Sequence, residues 1–393
     1  MFFAVFSVNT NPKPFNSEVK TSLFVLKCES GVKTSFCYQI LKGERMNSRE
    51  KKRDTSNTIK KFSLLGLVFI TLLIVPLFGS SAFGKEMKMK MATYIPVNYP
   101  LVWQTQNFFV EQVNKTGKEI VQIDMFWGGT LLDGKQILSG LRAGTADIVF
   151  QTTAYFLGSF PVLGIQNLPI WPDIEYSHDK LKIGSPLYNL QNEVLKEKNM
   201  RQLAVGGTVI EYLWTRNKKV EKPSDLKGLK IRVAGKLEAI AIQMLGGTPL
   251  SMASAEVPMA LQRGTIDGVL INPWTARGRG VEEHCKYMLL YPLTSQSTPI
   301  YMLADKWDKL PNNVKKVLND AAMEWESYMV RIVSEEANLE KQILPYYRKV
   351  GMEMVYPNKE QTTAFKQALE PLVKWWVKEV GDEVGVKASK HIN

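Results

Sequence analysis

The sequence predicts an α/β protein with two lobes, each with a mostly parallel sheet flanked by helices, and with one long helix that bridges the lobes. Three observations predict this fold class: a strand–helix–strand–helix–strand pattern occurs twice, the two copies share a motif, and a long helical pattern follows them. Strands that alternate with helices indicate a parallel sheet covered by helices. The 393 residues are enough for two domains with separate cores.

The first copy begins with KMKMATYIP at 88–96, which predicts a strand. An amphipathic helix at 101–117 and a second strand at 120–126 follow. The next segment predicts a helix that ends at Gly144 and a short strand that starts at Asp147, because glycine commonly terminates helices.

The second copy begins with GLKIRVAG at 228–235, where apolar residues alternate with basic ones at the period of a strand. A helix, a strand and a second helix that ends at Gly264 follow in the same order. Both copies contain the motif L-x-x-G-T-x-D-x-V, at 141–149 and at 261–269. Chance similarity between short glycine-rich helix ends is the alternative, but the shared order of elements favours an internal repeat.

The last part of the chain predicts helices. A helical pattern starts at Pro311 and Asn312 and runs to about Ile343. At ~1.5 Å per residue, its ~30 residues span ~45 Å, which is enough to cross from one lobe to the other. A second amphipathic helix at 361–380 follows. The expected boundaries are 85–208 with part of 299–337 for lobe 1, and 209–298 with 338–393 for lobe 2.

The segment 46–84 has the parts of a secretory signal peptide: a basic stretch at 46–62, an uncharged apolar run at 63–79, and small residues at its end. We expect it to be cleaved and to direct the protein to the periplasm. Residues 1–45 are then a non-native extension from a misassigned start. The alternative is a permanent membrane anchor, because the apolar run approaches the length that spans a bilayer.

The net charge of +12 does not indicate a nucleic-acid partner. Residues 1–84 carry 12 Lys and Arg against 5 Asp and Glu, so +7 of the charge lies in the leader. No basic patch interleaved with aromatic residues follows it, so we expect no nucleic-acid binding. Cys285 is alone after the leader, which predicts a packed thiol without an intramolecular disulfide.

Motifs for catalysis, metal binding and cofactor binding are absent from the sequence after the leader. It has no H-E-x-x-H, C-x-x-C or G-x-S-x-G, and its Gly-Lys pair lacks the Ser or Thr of a phosphate loop. His284 beside Cys285 makes neither a zinc site nor a catalytic dyad. We therefore expect no catalytic residue, no metal and no cofactor.

Arg232 lies near the carboxyl end of its predicted strand. In open α/β sheets, ligands bind outside the carboxyl ends of the strands, and by the repeat the loops at 151–155 and 271–275 also leave such ends. A guanidinium offers a planar donor pair that suits a carboxylate. The sequence thus predicts a carboxylate ligand for Arg232, with an intramolecular ion pair to Asp or Glu as the alternative.

From about Lys85 onward, the chain resembles the DctP-type solute-binding proteins of TRAP (tripartite ATP-independent periplasmic) transporters. The segments that carry the resemblance are LLDGKQILSGLRAGTADIV at 131–149, DLKGLKIRV at 225–233, the GGTP to TIDG run at 246–268, INP at 271–273 and LPNNVKKVLNDAA at 310–322. The resemblance implies a two-lobed fold of the periplasmic binding protein type that closes on an organic acid.

The resemblance also implies roles for two residues and for a membrane partner. Arg232 would clamp the ligand carboxylate, and Asn272 would help to hold it. The protein, expected to be a monomer, would deliver its ligand to a small and a large membrane subunit, with transport driven by an ion gradient.

The sequence departs from some relatives at the predicted site. Sialic-acid receptors and some dicarboxylate receptors carry a second arginine where this chain has Tyr212, and they have Glu and Arg where it has Thr152 and Tyr155. A second carboxylate would lack an obvious cation, so a monocarboxylate is favoured. The remaining candidates for the pocket wall are three aromatic residues: Tyr94, Trp127 and Trp274. The alternative is that each of them packs in the core.

Two other function classes remain open from the sequence. One is a binding protein of another transporter or of a sensor system. The other is a periplasmic enzyme that acts on a small acid, which the absence of a paired acid and base near Arg232 disfavours.

Overall fold

The computed structural model describes residues 86–336 and 338–392. The predicted signal peptide and the extension before it lie outside the described residues. Within them, eleven strands form two sheets. In chain order these are β1 (Met87–Ala92), β2 (Val121–Phe126), β3 (Ile148–Phe150), β4 (Met200–Ala204), β5 (Val209–Thr215), β6 (Lys230–Val233), β7 (Thr248–Ser251), β8 (Gly268–Ile271), β9 (Tyr287–Gln296), β10 (Ile300–Leu303) and β11 (Glu353–Val355).

Helices cover the sheets and carry the connections. The α-helices of the described residues are α1 (Pro100–Thr116), α2 (Ile137–Arg142), α3 (Ile174–Leu181), α4 (Pro186–Glu197), α5 (Lys236–Met244), α6 (Val257–Gln262), α7 (Pro273–Gly278), α8 (Ala304–Lys309), α9 (Asn312–Arg331), α10 (Leu344–Lys349), α11 (Lys359–Val380) and α12 (Asp382–Lys390). Short 3-10 turns precede several of them, and no described helix is long and apolar enough to cross a membrane.

The predicted repeat has the same structure in both copies. Strand β1 pairs in parallel with β2 and β3, and β6 pairs in parallel with β7 and β8. The motif aspartate fixes the strand that follows it: Asp147 Oδ2 accepts the Lys90 N–H at 2.9 Å, and Asp267 Oδ2 accepts the Lys230 N–H at 2.8 Å. The glycine that ends the preceding helix has a positive φ in both copies, at Gly144 (75°) and Gly264 (69°).

Antiparallel strands complete both sheets. The first sheet has the order β2-β1-β3-β10-β4, in which β10 is antiparallel to β3 and β4. The second has the order β11-β9-β5-β8-β6-β7, in which β5 is antiparallel to β8 and β9. The chain passes to the second sheet after β4 and returns after β9, so each sheet combines one parallel repeat unit with strands from elsewhere in the chain.

The long helix is shorter than the sequence predicted. Helix α9 ends at Arg331, and wider π-helical turns follow at Ile332–Glu336 and Leu339–Ile343 before α10. Between them the Asn338 side chain accepts the N–H groups of Glu340 and Lys341, so it starts a new helical segment at a point where the apolar periodicity alone indicated continuation.

The segment from α9 to α10 nevertheless packs against both sheets. Trp325 of α9 belongs to the apolar core of the first sheet together with Phe150. Tyr347 of α10 belongs to the core of the second sheet, where its ring centroid lies 4.7 Å from that of Trp214. A third apolar cluster contains residues of both sheets, together with Trp376 of α11.

Cys285 is a buried free thiol in the second sheet's core, as its isolation in the sequence predicted. Burial raises its pKa to about 12, so the thiol stays protonated and unreactive at neutral pH.

Candidate ligand-binding site

Arg232 lies at the carboxyl end of β6, between β7 and β8, with only 2% of its surface exposed. Its Nε and Nη2 donate to the carbonyl oxygen of Met252 at 3.1 and 3.0 Å, and Nη2 also lies 3.4 Å from the Tyr155 hydroxyl. The backbone therefore holds the Nε edge of the guanidinium, and the Nη1 nitrogen has no hydrogen bond with the described residues.

No carboxylate lies within ion-pair distance of Arg232 in the described part of the chain, where every ion pair that forms joins other residues. Two buried carboxyls act on it from farther away. The pKa of Glu211 is raised by burial and by the nearby charge of Glu238. The pKa of Glu238 is raised by burial. The positive charge of Arg232 partly offsets both shifts. Arg232 is thus a buried cation that lacks a direct counter-ion.

Three of the predicted site residues form a cluster beside Arg232. The hydroxyls of Tyr94 and Thr152 share a hydrogen bond of 2.5 Å, and the rings of Tyr94 and Tyr155 meet edge to face at 5.5 Å. The Tyr155 hydroxyl accepts the Ser254 N–H at 2.9 Å and faces Arg232 Nη2. Burial raises the pKa of Tyr94, so its phenol is neutral and acts as a hydrogen-bonding group.

A cavity lies beside Tyr94, and helices α1, α7 and α9 each supply part of its wall. Asn272 lines it and is 2% exposed. Its Oδ1 caps α7 by accepting the Thr275 N–H at 2.9 Å, while within the described residues its Nδ2 makes no hydrogen bond. The cap orients the amide, so its NH₂ group is available to a ligand.

Trp274 lines this cavity and also a second, neighbouring one. Tyr212 lines the second cavity only, beside Asn338, and burial raises its pKa to about 12. Trp274 and Tyr212 are therefore wall residues of adjoining spaces, with Val209 and Val333 shared between the two linings.

Trp127 lies apart from the other predicted site residues. Its ring centroid is 6.2 Å from that of Trp103. It lines none of the three cavities that have Trp274 in their walls. Its role in ligand binding stays a prediction.

The sequence reasoning did not find Arg279, which follows α7. Its Nε donates to the Ser254 Oγ at 3.0 Å, and its guanidinium lies 4.8 Å from the centre of the Tyr99 ring. It has no ion pair with the described residues, and burial lowers its pKa, with the Tyr94 phenol acting in the opposite direction. The sequence could have indicated Arg279 as a site candidate, because it directly follows the helix that Asn272 caps.

The sequence reasoning also did not find Gln106, on the α1 face that lines the first cavity. Gln106 is 1% exposed, and neither its Nε2 nor its Oε1 has a hydrogen-bond partner. A polar residue is ordinary in an amphipathic helix such as α1. The sequence pattern therefore did not indicate that the Gln106 amide faces a cavity.

No group of three or more potential metal ligands occurs within 86–336 and 338–392. The site is therefore built from guanidinium, amide, phenol and indole groups, which suit the binding of an oxygen-rich anion.

Comparison with known proteins gives a consistent assignment. Residues 91–379 match the family described as bacterial extracellular solute-binding protein, family 7, also called DctP. The chain is 26% identical over 254 residues to the 2,3-diketo-L-gulonate-binding periplasmic protein of Escherichia coli, which covers 63% of this chain and 74% of that protein. It is 26% identical over 291 residues to the C4-dicarboxylate-binding periplasmic protein of Rhodobacter capsulatus, covering 72% and 84%.

The fold also matches solved structures. The crystal structure of a TRAP periplasmic solute-binding protein from Ralstonia eutropha with bound (S)-2-acetolactate superposes with a TM-score of 0.69 at 20% identity. The match covers 78% of this chain and 98% of the other. The predicted α/β architecture, with two sheets flanked by helices, is therefore confirmed.

Proposed function

The chain belongs to the DctP family of bacterial extracellular solute-binding proteins, and from this premise we propose that it captures a small organic acid at Arg232 and delivers it to a TRAP permease. The relatives from Escherichia coli and Rhodobacter capsulatus are periplasmic binding proteins. Their ligands, a sugar-derived keto acid and C4-dicarboxylates, share a carboxylate.

The observation that carries this proposal is the unpaired guanidinium of Arg232. A buried charge without a counter-ion is costly, so a site that keeps one is suited to an ionic ligand. Met252 holds the Nε edge, which aims the remaining edge at Tyr155 and the space beyond it. A ligand carboxylate that displaces the 3.4 Å contact with the Tyr155 hydroxyl gains two charge-assisted hydrogen bonds from Nη1 and Nη2.

We propose that the ligand has a single carboxylate and a largely apolar body. None of the described residues that line the cavity beside Tyr94 is charged, and most are apolar. Tyr212 and Thr152 supply no cation. Arg279 is the nearest other cation, and its Nε is already bound to Ser254. A second carboxylate inside the uncharged cavity would be desolvated without a partner.

The remaining parts of the proposal concern lobes, location and partners. Each sheet is proposed to belong to a separate lobe, with 85–208 and part of 299–337 in lobe 1, and 209–298 and 338–393 in lobe 2. Residues 46–84 direct the chain to the periplasm, where it acts as a monomer. A small and a large membrane subunit receive the closed, loaded receptor.

Binding and transport are tested separately. Purified protein is screened by thermal shift against sodium salts of mono- and dicarboxylic acids, with neutral sugars and amino alcohols as controls. A ligand at 100 times its Kd adds ~2.7 kcal/mol of stability, which a shift in Tm reports. Stabilisation by acids alone supports the receptor, and stabilisation by uncharged solutes alone contradicts it. Uptake into vesicles with the membrane subunits encoded nearest to this gene tests delivery.

A further inference from the structure

The cavity beside Tyr94 contains an amide that its apolar walls do not satisfy. Gln106 is 1% exposed, and both ends of its amide are buried without a hydrogen-bond partner. Buried polar groups in native proteins nearly always have a partner, and each one without a partner is destabilising. Gln104, two residues earlier on the same helix, does have one, since its Nε2 donates to the Tyr328 hydroxyl at 2.9 Å.

Two indole N–H groups in the same cavity are also unpartnered. Trp274 Nε1 and Trp325 Nε1 are both buried and make no hydrogen bond, and both side chains line the cavity. Together with these, the Asn272 Nδ2 makes no hydrogen bond with the described residues, and Gln106 Oε1 is the fully buried acceptor without a partner among the described lining side chains, none of which is charged.

These groups come from distant parts of the fold. Gln106 lies on α1, Trp325 on α9, and Trp274 on α7. In a structural core, buried polar atoms are paired or are replaced by apolar ones. It is therefore unexpected that three separate elements bury unpartnered polar atoms around the same cavity.

We propose that Gln106 is a specificity residue that binds a hydroxyl group on the body of the ligand, so that the solute is a hydroxylated monocarboxylic acid. This inference rests on the proposed function, because Arg232 holds the carboxylate of the same ligand. A hydroxyl both donates and accepts, and the Gln106 amide offers one acceptor and one donor. A second carboxylate only accepts and finds no cation in the lining. The indole of Trp325 supplies a further donor to the same hydroxyl or to a neighbouring oxygen.

The choice of Gln106 over the other groups follows from what each contributes. An indole N–H donates only and binds a carbonyl and a hydroxyl alike. Among the described lining side chains, Gln106 Oε1 is the acceptor that is fully buried and has no partner, and an acceptor selects for a ligand donor. A site built to bind a hydroxyl rejects the analogue that lacks it, because its own polar groups then stay unpaired.

The test compares Gln106→Leu with the wild type by calorimetry. Gln112→Leu is the matched control, because it makes the same change on the same helix outside this cavity. The probes are unbranched monocarboxylates of four to six carbons and their monohydroxy derivatives, with the hydroxyl placed at each position. The wild type should bind at least one hydroxy acid about tenfold more tightly than its parent, and Gln106→Leu should remove that difference.

A second measurement needs no ligand. Removing an unpartnered buried amide should stabilise the free protein, so Gln106→Leu should raise Tm by about 2–4 °C, whereas Gln112→Leu should not. A lower Tm for Gln106→Leu would show that the amide has a structural partner and would overturn the proposal.

The binding outcomes separate the two levels of the argument. If the wild type binds every parent acid as tightly as its hydroxy derivatives, the proposed role of Gln106 is wrong. The proposed function as a receptor for organic acids is then not affected. If Gln106→Leu lowers the affinity for parent and hydroxy acids equally, the proposed role of Gln106 is also wrong, because the substitution then changes only the shape of the cavity. Failure of all carboxylates to bind contradicts the proposed function itself.

Discussion

Replacing Arg232 with lysine tests the carboxylate clamp most directly. Lysine keeps the positive charge but has one nitrogen in place of the planar donor pair. In the folded protein Arg232 donates twice to the Met252 carbonyl, which fixes the direction of the free edge. Lysine loses that fixed orientation and one of the two hydrogen bonds expected to the ligand carboxylate.

The magnitude follows from the bonds that are lost. A hydrogen bond to a charged group contributes about 1.5–3 kcal/mol, and 1.4 kcal/mol is a factor of ten in affinity. Arg232→Lys should therefore raise the Kd by about 10- to 150-fold. The protein should still fold, because the ammonium stays near Glu211 and Glu238, whose buried carboxyls otherwise lose their nearest positive charge.

Isothermal titration calorimetry with the best acid from the screen measures this change. Arg263→Lys is the control, because it is the same substitution at an exposed residue just beyond the end of α6. Full affinity in Arg232→Lys would refute the clamp and leave Arg232 as a structural residue. Tight succinate binding in the wild type would refute the single-carboxylate proposal but not the clamp, and it would direct attention to Arg279 as the second cation.

Four further outcomes are expected. N-terminal sequencing of periplasmic protein should start near Phe83 or Lys85, whereas recovery only in membranes with the apolar run intact would contradict cleavage. Small-angle scattering should show a smaller radius of gyration with saturating ligand, as in binding proteins that close about a hinge, and an unchanged profile would argue against closure. Trp274→Ala should weaken ligands with an apolar body by about 5- to 30-fold, from ~1–2 kcal/mol of lost apolar burial, with a smaller effect on acetate as the comparison. Because burial raises the pKa of Glu238 in the folded state, the free energy of unfolding should fall as pH rises above the ordinary carboxyl pKa of ~4.3, and Glu238→Gln should gain stability relative to the wild type over the same range; a constant difference in urea midpoint from pH 4 to 8 would contradict this.

The repeat units and the ends of their strands were predictable from the sequence because local rules encode them. Apolar alternation located β1 and β6, and glycines with positive φ ended the helices before β3 and β8. Ligands of α/β proteins bind at the carboxyl ends of parallel strands, so the sequence predicted Arg232 as a ligand-binding residue from its place in β6 alone. Helix α9 was predicted too long, since periodicity does not register the helix start that Asn338 sets.

The cavity and its unpaired groups were decided by the tertiary structure. Gln106 and Trp325 are more than 200 residues apart and meet only because α1 and α9 pack against the same sheet. Whether a buried amide finds a partner depends on what the facing elements bring to it, and no local pattern carries that information. The sequence by itself determined which strand carries the buried guanidinium at its carboxyl end, and only the packing of distant helices determined which buried polar atoms remain unpaired.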